Sequence, residues 1–197
     1  SSPSVLTRTD ASTAGAFGHS VAISGTTVIV GAPLDDTAAG DNAGSAYAFA
    51  RQRDGSWLRL TRLTASDAAG HDNFGSSVAF SGTTALIGAP FDDNIGGTNA
   101  GSAYAFLRSK TNWVEQPKLL ANDAAEEDRF GDSVALHGNT AVIGAPREDN
   151  SGGSSAGSAY VFLRGKTGWV QKDKLLAADG APDDRLGSAV AILGTTI

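Results

Sequence analysis

Residues 74–106 read FGSSVAFSGTTALIGAPFDDNIGGTNAGSAYAF, and the landmarks of this stretch return along the chain at a fixed period. A Phe-Gly pair begins at positions 17, 74 and 130, and Leu-Gly follows at 186. Gly-Ala-Pro begins at 31, 88 and 144, Gly-Ser-Ala-Tyr begins at 44, 101 and 157, and a Trp lies at 57, 113 and 169. A regular repeat of this length indicates a protein built from stacked copies of one supersecondary unit.

Within each unit the residue pattern predicts short strands. Residues 20–24 form an apolar run, and Gly25 supplies the positive φ that a tight hairpin turn requires. The next strand, 26–31, is apolar on both faces, as expected for a strand covered by neighbouring sheets. In the third strand, small residues alternate with aromatic ones, so that one face is small and the other large: Ala46, Ala48 and Ala50 against Tyr47 and Phe49. Sheets of this kind can stack with a large face on a small one.

A fourth strand is predicted from Trp57 through Leu63. Its counterpart in the next unit contains Pro117, which a sheet tolerates at its edge but not at its centre, so this strand is expected to be outermost. Four antiparallel strands in each repeat are typical of a β-propeller blade. The alternative is a β-solenoid, but solenoid coils are shorter and lack the small and large faces of the third strand.

The landmarks also carry a resemblance to a known family. Phe-Gly opening the first strand, Gly-Ala-Pro closing the second and Gly-Ser-Ala-Tyr-x-Phe in the third resemble FG-GAP repeats, the blades of the integrin α-subunit head and of many bacterial extracellular proteins. The segment from Leu119 to Gly131 is most similar to the bacterial type. The resemblance implies an all-β propeller of four-stranded antiparallel blades with about 56 residues per repeat. It also implies an extracellular or cell-surface location in a bacterium.

The repeats divide the chain as a single propeller or part of one. Residues 1–16 correspond to the end of a blade, 17–73, 74–129 and 130–185 to full repeats, and 186–197 to the start of a further blade. Three arrangements remain open: a fragment of a longer, perhaps seven-bladed ring, which we favour; a four-bladed ring closed by pairing of the two ends; and two chains sharing one ring. The last would make self-association through the incomplete terminal blades part of the function.

Composition narrows the classes of partner. The chain has 197 residues, no Cys and no Met, and its 21 acidic against 15 basic residues give a net charge of −6. The absence of Cys excludes disulfides and Cys-ligated metal sites. The acidic balance makes nucleic acid an unexpected partner, and no apolar run exceeds the length of a strand, so membrane insertion is not expected either. A protein or glycan ligand is the expected partner.

Acid-rich loops after each Gly-Ala-Pro are the candidate metal sites. Ca²⁺ binds six to eight oxygen ligands, and carboxylates cluster here, so the candidate ligands are Asp35, Asp36, Asp92, Asp93, Glu148 and Asp149. The favoured alternative is that these residues bond to backbone N–H groups in tight turns. The resemblance argues partly against calcium, because integrin-type blades hold it between the first and second strands, where this chain has only the turn at 24–26. Further acid pairs in the linkers are expected to form structural turns: Asp67 with Asp72, Asp123 with Asp128, and Asp179 with Asp184.

No enzymatic activity is expected. The sequence Gly18-His19-Ser20 resembles a hydrolase nucleophile turn, but Gly75-Ser76-Ser77 and Gly131-Asp132-Ser133 repeat it, which indicates architecture. The predicted function is therefore non-enzymatic extracellular recognition, adhesion or scaffolding. Loops 34–43, 91–100 and 147–156 vary most between units, so binding residues are expected there first.

The alternative function is an accessory or catalytic propeller domain of a secreted enzyme. Such a domain would be indicated by a polar residue that departs from the repeat in one blade only. His19, Asp132 and Arg147 are residues of this kind. Their positions in the sequence predict that they are scattered and do not form one site. A further expectation concerns the arginines that end the third strand of each unit, which are predicted to pair with loop acids: Arg51, Arg108 and Arg164.

Overall fold

The computed structural model describes residues 5–7, 15–110 and 112–194, and these residues form twelve strands and no helix. The first sheet contains β1 (Val21–Ser24), β2 (Thr27–Ala32), β3 (Ser45–Arg51) and β4 (Trp57–Leu63). The second contains β5 (Ser77–Ser81), β6 (Thr84–Ala89), β7 (Ser102–Ser109) and β8 (Asn112–Glu115). The third contains β9 (Ser133–His137), β10 (Thr140–Ala145), β11 (Ser158–Gly165) and β12 (Gly168–Leu175). In the described part of the chain, no helical segment long and apolar enough to span a membrane is found.

Each sheet is antiparallel, and its strands lie side by side in chain order. The predicted strand order, with the fourth strand at an edge of its sheet, is therefore confirmed. Hairpin turns after the first strand carry the expected positive φ, 59° at Gly25 and Gly82 and 58° at Gly138. Strand β8 ends at Glu115, the Gln116 N–H still donates to the Ala105 carbonyl oxygen, and after Pro117 the chain pairs again at an isolated bridge between Ala103 and Leu119. Proline has no N–H to donate, so this edge strand is interrupted there.

Neighbouring sheets stack with a small face against a large face, as predicted. Ala46 and Ala48 of β3 belong to the same buried cluster as Tyr104 and Phe106 of β7. Ala103 and Ala105 of the second sheet meet Tyr160 and Phe162 of the third in the same way. The Phe of each Phe-Gly pair lies edge-on to the Tyr of its own repeat, with ring centroids 5.4 Å apart for Phe74 and Tyr104 and 5.5 Å for Phe130 and Tyr160. Such pairs stabilise a core by about 0.5–1.5 kcal/mol beyond the buried area.

Backbone contacts between glycines set the distance between sheets. A Cβ added to Gly88 would overlap the carbonyl oxygen of Gly131, the glycine of the next Phe-Gly pair. Ser77 Oγ donates a hydrogen bond to that same carbonyl oxygen at 2.8 Å. Equivalent bonds join Ser20 to Gly75 at 2.8 Å and Ser133 to Gly187 at 2.7 Å. The serines that resembled a nucleophile turn therefore hold each sheet to the start of the next repeat.

Residues after the third sheet continue the pattern. Leu186 bridges Gly157 in parallel, as Phe74 bridges Gly44. Val190 and Ile192 pack against buried residues of the third sheet. The predicted repeat boundaries at 1–16 and 186–197 fall partly outside the described residues.

Candidate functional site

One end of the sheets carries the long loops after Gly-Ala-Pro and the linkers between repeats. In each sheet the first and third strands begin there, and the second and fourth strands end there, because neighbouring strands are antiparallel. The Phe-Gly turns, the loops after Gly-Ala-Pro and the linkers between sheets therefore share this end, which we call the FG face. The short turns at 25–26 and 52–56 lie at the opposite end.

The second acid of each predicted calcium pair caps its own loop. Asp36 Oδ1 accepts a hydrogen bond from the Asn42 N–H at 3.0 Å, and Asp93 Oδ1 accepts one from the Asn99 N–H at 2.8 Å. Asp149 Oδ1 accepts the equivalent bond from Ser155 at 2.7 Å. Short acceptors of this kind satisfy backbone donors that would otherwise lack partners.

The first acid of each pair is buried against donors of its own repeat. Asp92 is 3% exposed, and it accepts hydrogen bonds from the hydroxyls of Ser102 and Tyr104. It also forms an ion pair with Lys118, whose Nζ lies 3.1 Å away. Glu148 accepts hydrogen bonds from the side chains of Asn150 and Ser158, and it forms an ion pair with Lys174 at 2.6 Å. In the first repeat, Tyr47 donates to Asp35 at 2.6 Å, and Arg62 lies 3.5 Å away.

A single lysine connects two acids that are distant in sequence. Lys118 Nζ lies 2.7 Å from Asp67 of the linker and 3.1 Å from Asp92. Burial alone would raise the pKa of Asp67, but the hydrogen bonds from Lys118 and Tyr104 lower it below its usual range. Lys174 repeats this arrangement in the third repeat, 2.7 Å from Asp123 and 2.6 Å from Glu148. The fold thus brings the linker acids and the loop acids together around an ammonium group.

The second linker acid forms the predicted structural turn. Asp72 accepts the N–H of Ala69 at 2.6 Å, and Asp128 accepts that of Ala125 at 2.8 Å. Asp184 accepts the Ala181 N–H in the same way. Burial, with a further contribution from Asp92 and Asp67, raises the pKa of Asp72 to about 6. Burial and then Glu148 and Asp123 raise the pKa of Asp128 to about 6.

These acids line two cavities that are copies of each other. The first has a volume of about 440 Å³ and includes Asp67, Asp72 and Asp92; the second, of about 350 Å³, includes Asp123, Asp128 and Glu148. Across residues 5–7, 15–110 and 112–194, no group of three or more His, Asp or Glu side chains has the geometry to hold a metal ion. The predicted calcium ligands therefore have protein partners, and calcium binding at them stays a prediction.

The prediction that His19 and Asp132 are scattered is wrong. His19 follows the Phe-Gly of the first repeat and Asp132 that of the third, and both line one cavity of about 280 Å³ on the FG face. Apolar side chains line the same cavity, among them Leu34 and Phe91. Arg147 lies close enough to affect Asp132: burial raises the Asp132 pKa, and the charges of Arg129, Arg147 and His19 oppose that rise.

The arginines at the end of the third strand were predicted to pair with loop acids. For Arg108 and Arg164 this prediction is wrong. Arg108 Nη1 donates to the Thr27 hydroxyl of the preceding sheet at 2.7 Å, and Arg164 Nη1 donates to Thr84 at 2.9 Å. Each guanidinium also lies over a Trp of its own repeat, 5.9 Å from the Trp113 ring and 5.7 Å from the Trp169 ring. Arg164 also donates to Asn139 of its own hairpin turn at 2.7 Å. The arginines therefore bind groups at the end of the sheets opposite the FG face, where strand three ends.

Sequence reasoning missed the two lysines. Lys118 and Lys174 lie near or in the fourth strand, where residue types differ between repeats, and the first repeat has Arg62 at the equivalent place. A basic residue at that place in all three repeats could have indicated them. His71 lines the first acidic cavity, whereas His137 ends β9 at the opposite end of the sheet.

A family model described as FG-GAP repeat matches the chain in four segments, residues 2–49, 57–106, 113–162 and 169–197. A search of curated proteins found no match. Each of the first three matched segments covers the first and second strands of one sheet and most of its third strand, and the last extends beyond the third sheet.

Proposed function

Since the chain belongs to the FG-GAP repeat family, we propose that it forms a β-propeller, or part of one, that serves as a non-enzymatic recognition, adhesion or scaffolding module outside the cell. One observation carries the proposal. A framework that repeats residue by residue holds loops of variable sequence at one end of the sheets, the FG face. Rigid scaffolds that present variable loops are a common way to build a binding surface.

The packing of the three sheets supports a radial arrangement. Neighbouring sheets contact each other through their first strands, β1 with β5 and β5 with β9. The two junctions use the same small-on-large stacking, so the outward-facing sides of the first and third sheets have the matching surfaces for further blades. A larger ring, a ring closed by the two ends and a ring shared by two chains all satisfy this pairing. The native mass of the protein from its natural source distinguishes them.

The test of recognition compares loops with turns. The full chain would be screened by biolayer interferometry against immobilised bacterial and host surface glycans and proteins. Substitutions of exposed loop residues on the FG face, such as Asp41 and Ile95, are expected to abolish binding to any ligand found. Substitutions in the turn at 52–56 at the opposite end are expected to leave it unchanged. Equal loss from both ends would contradict the proposal.

An accessory or catalytic propeller domain of a secreted enzyme is the second candidate, because His19 and Asp132 line one cavity. An imidazole and a carboxyl group whose pKa is raised by burial are side chains of the kinds that serve as general acids and bases. If the protein turned over a substrate and His19→Ala and Asp132→Ala abolished that turnover while leaving the fold intact, this candidate would replace the recognition module.

A further inference from the structure

On the FG face, the residue types that differ between repeats change from small or apolar to basic along the chain. Two sets of equivalent positions show this: the residue before each Phe-Gly or Leu-Gly pair and the residue after each Gly-Ala-Pro. Both sets are small or apolar in the first repeat and basic towards the end of the chain. The sets are Ala16, Asn73, Arg129 and Arg185, and Leu34, Phe91 and Arg147.

The backbone presents the first set in one conformation. Ala16, Asn73, Arg129 and Arg185 have φ of 50°, 55°, 57° and 56°, in the left-handed region that non-glycine residues rarely adopt. Each repeat therefore projects this side chain from an equivalent turn. The change from Ala to Arg alters the surface without altering the framework beneath it.

Arginine side chains crowd together at the basic side. The Arg129 guanidinium lies over the Phe91 ring, 4.5 Å from its centroid, and its Nε is buried without a hydrogen-bond acceptor in the described part of the chain. Its ion pair with Glu127 is long, at 3.8 Å. Burial, together with the positive charges of Arg147 and Arg185, lowers the pKa of Arg129. Acidic side chains also lie beside these arginines, Glu127 near Arg129 and Asp183 near Arg185.

The cavity lined by His19 and Asp132 is formed by residues of the first, second and third repeats and lies between the apolar and the basic positions. Leu34 and Phe91, with Pro33 and Pro90, give it apolar walls, and Asp132 lies at its border with the arginines. Its volume of about 280 Å³ would accept a group the size of one aromatic side chain. Arg129 lies on the Phe91 ring that forms one wall of the cavity, and Arg147 lines the neighbouring acidic cavity; the charges of both act on Asp132.

We propose that this cavity binds a carboxylate that carries an apolar or aromatic group, with the apolar group against Leu34 and Phe91 and the carboxylate at Arg129 and Arg147. Guanidinium groups bind carboxylates through charge-assisted, often bidentate hydrogen bonds. An aromatic group gains by leaving water for the apolar walls. The inference rests on the proposed recognition function and names the ligand class for one part of the FG face.

The test uses a pair of probes that differ only in charge. N-acetyl-phenylalanine and its neutral amide would be titrated into the ¹⁵N-labelled chain, with NMR shifts as the readout. We expect the acid to bind at least about tenfold more tightly than the amide, with shifts centred on Phe91, Arg129 and Asp132. Equal binding of acid and amide, or no binding of the acid at millimolar concentration, would overturn the proposal. A peptide ending in a free Phe carboxylate would show whether the site prefers a chain end to a small acid.

Matched variants locate the charge. Arg147→Gln is expected to weaken binding of the acid about tenfold, whereas Arg53→Gln, the same charge change in the turn at the opposite end, is expected to leave it unchanged. Asp132→Asn removes a repelling carboxylate and is expected to tighten binding; weaker binding by this variant would mean a site for cations instead. Circular dichroism would verify that each variant is folded.

The two proposals fail separately. If the probe acid does not bind while FG-face loop substitutions abolish binding to a surface ligand, only the ligand class is wrong. If the acid binds and loop substitutions affect no macromolecular ligand, the recognition function is wrong and the small-molecule site remains.

Discussion

At each junction between sheets the same residues recur every 56 or 57 positions, whereas several equivalent positions on the FG face change from one repeat to the next. Gly31, Gly88 and Gly144 all contact the glycine of the following repeat, and the serines beside them all donate to its carbonyl oxygen. His19, Ser76 and Asp132 occupy one position on the FG face and share no chemistry. Repetition therefore marks the residues that assemble the sheets, and departure from it marks those free to bind.

The largest effect is expected where two glycine backbones meet. Gly88→Ala would place a Cβ against the carbonyl oxygen of Gly131, and neither backbone can move without separating the second and third sheets. We expect a loss of at least about 3 kcal/mol in the free energy of unfolding, measured by urea denaturation. Gly82→Ala is the control, because its φ of 59° costs a side chain about 1 kcal/mol but no atom lies within 4 Å. Equal losses in the two variants would mean that close approach of the sheets is not required.

The lysine between two acids should matter next. Lys118→Met leaves Asp92, 3% exposed, without its ammonium partner. Because an unpaired buried carboxylate is costly and Lys118 is itself only partly exposed, we expect a loss of about 2 to 3 kcal/mol. Lys174→Met tests the same geometry at Glu148 and should give a similar loss in urea denaturation. If Lys118→Met changed stability by less than the substitution of an exposed lysine such as Lys166, the ammonium would not be holding the junction together.

The strands and their stacking follow from local patterns in the sequence. Glycines at 25, 82 and 138 fix the hairpins, and alternation of Ala with Tyr and Phe fixes which face packs on which. The lysine bridge could not be predicted in this way, because Asp67, Asp92 and Lys118 come from a linker, a loop and the end of an outer strand, which only the tertiary fold brings together.

The cavity at His19 and Asp132 is an intermediate case. The start of the first strand and the end of the second lie at the same end of any antiparallel pair, so residues after Phe-Gly and after Gly-Ala-Pro are neighbours in every repeat. Sequence alone could therefore have placed His19, Asp132 and Arg147, the residues that depart from the repeat, on one face. It could not have shown that the first and third repeats are close enough to share a cavity, which depends on the angle between sheets.

The pH dependence of stability separates a junction acid from an exposed one. Asp72 has a folded-state pKa of about 6, above the ordinary value of 3.8, so the folded protein binds its proton more tightly than the unfolded chain does. The stability from this group is complete below pH 3.8 and is lost as the pH rises through 6. Asp72→Asn keeps an acceptor for the Ala69 N–H but cannot ionise.

Stability of Asp72→Asn relative to the parent should therefore increase between pH 4 and pH 8, with a midpoint at about 5, between the unfolded and folded pKa values, and a total change of about 1 to 2 kcal/mol. The measurement is urea denaturation of both proteins across this range. Asp184→Asn is the matched control, because Asp184 makes the same turn hydrogen bond but is exposed. A relative stability of Asp72→Asn that did not change with pH would show that the carboxyl group is not neutral in the folded protein at pH 5.

The smallest expected effect is seen in a comparison of two adjacent serines. One lies at the junction between sheets and the other on the FG face. Ser77 Oγ donates to the Gly131 carbonyl across the junction, whereas Ser76 Oγ donates to Asn73 within its own turn and lines the FG-face cavity. Ser77→Ala leaves a carbonyl between two sheets without this donor, and we expect a loss of about 1 kcal/mol in the free energy of unfolding. Ser76→Ala should cost less than about 0.5 kcal/mol and should change only the binding of ligands to the cavity. The opposite order of stabilities would mean that the FG turns, rather than the contacts between repeats, hold the sheets in register, and the variable positions would then be part of the framework.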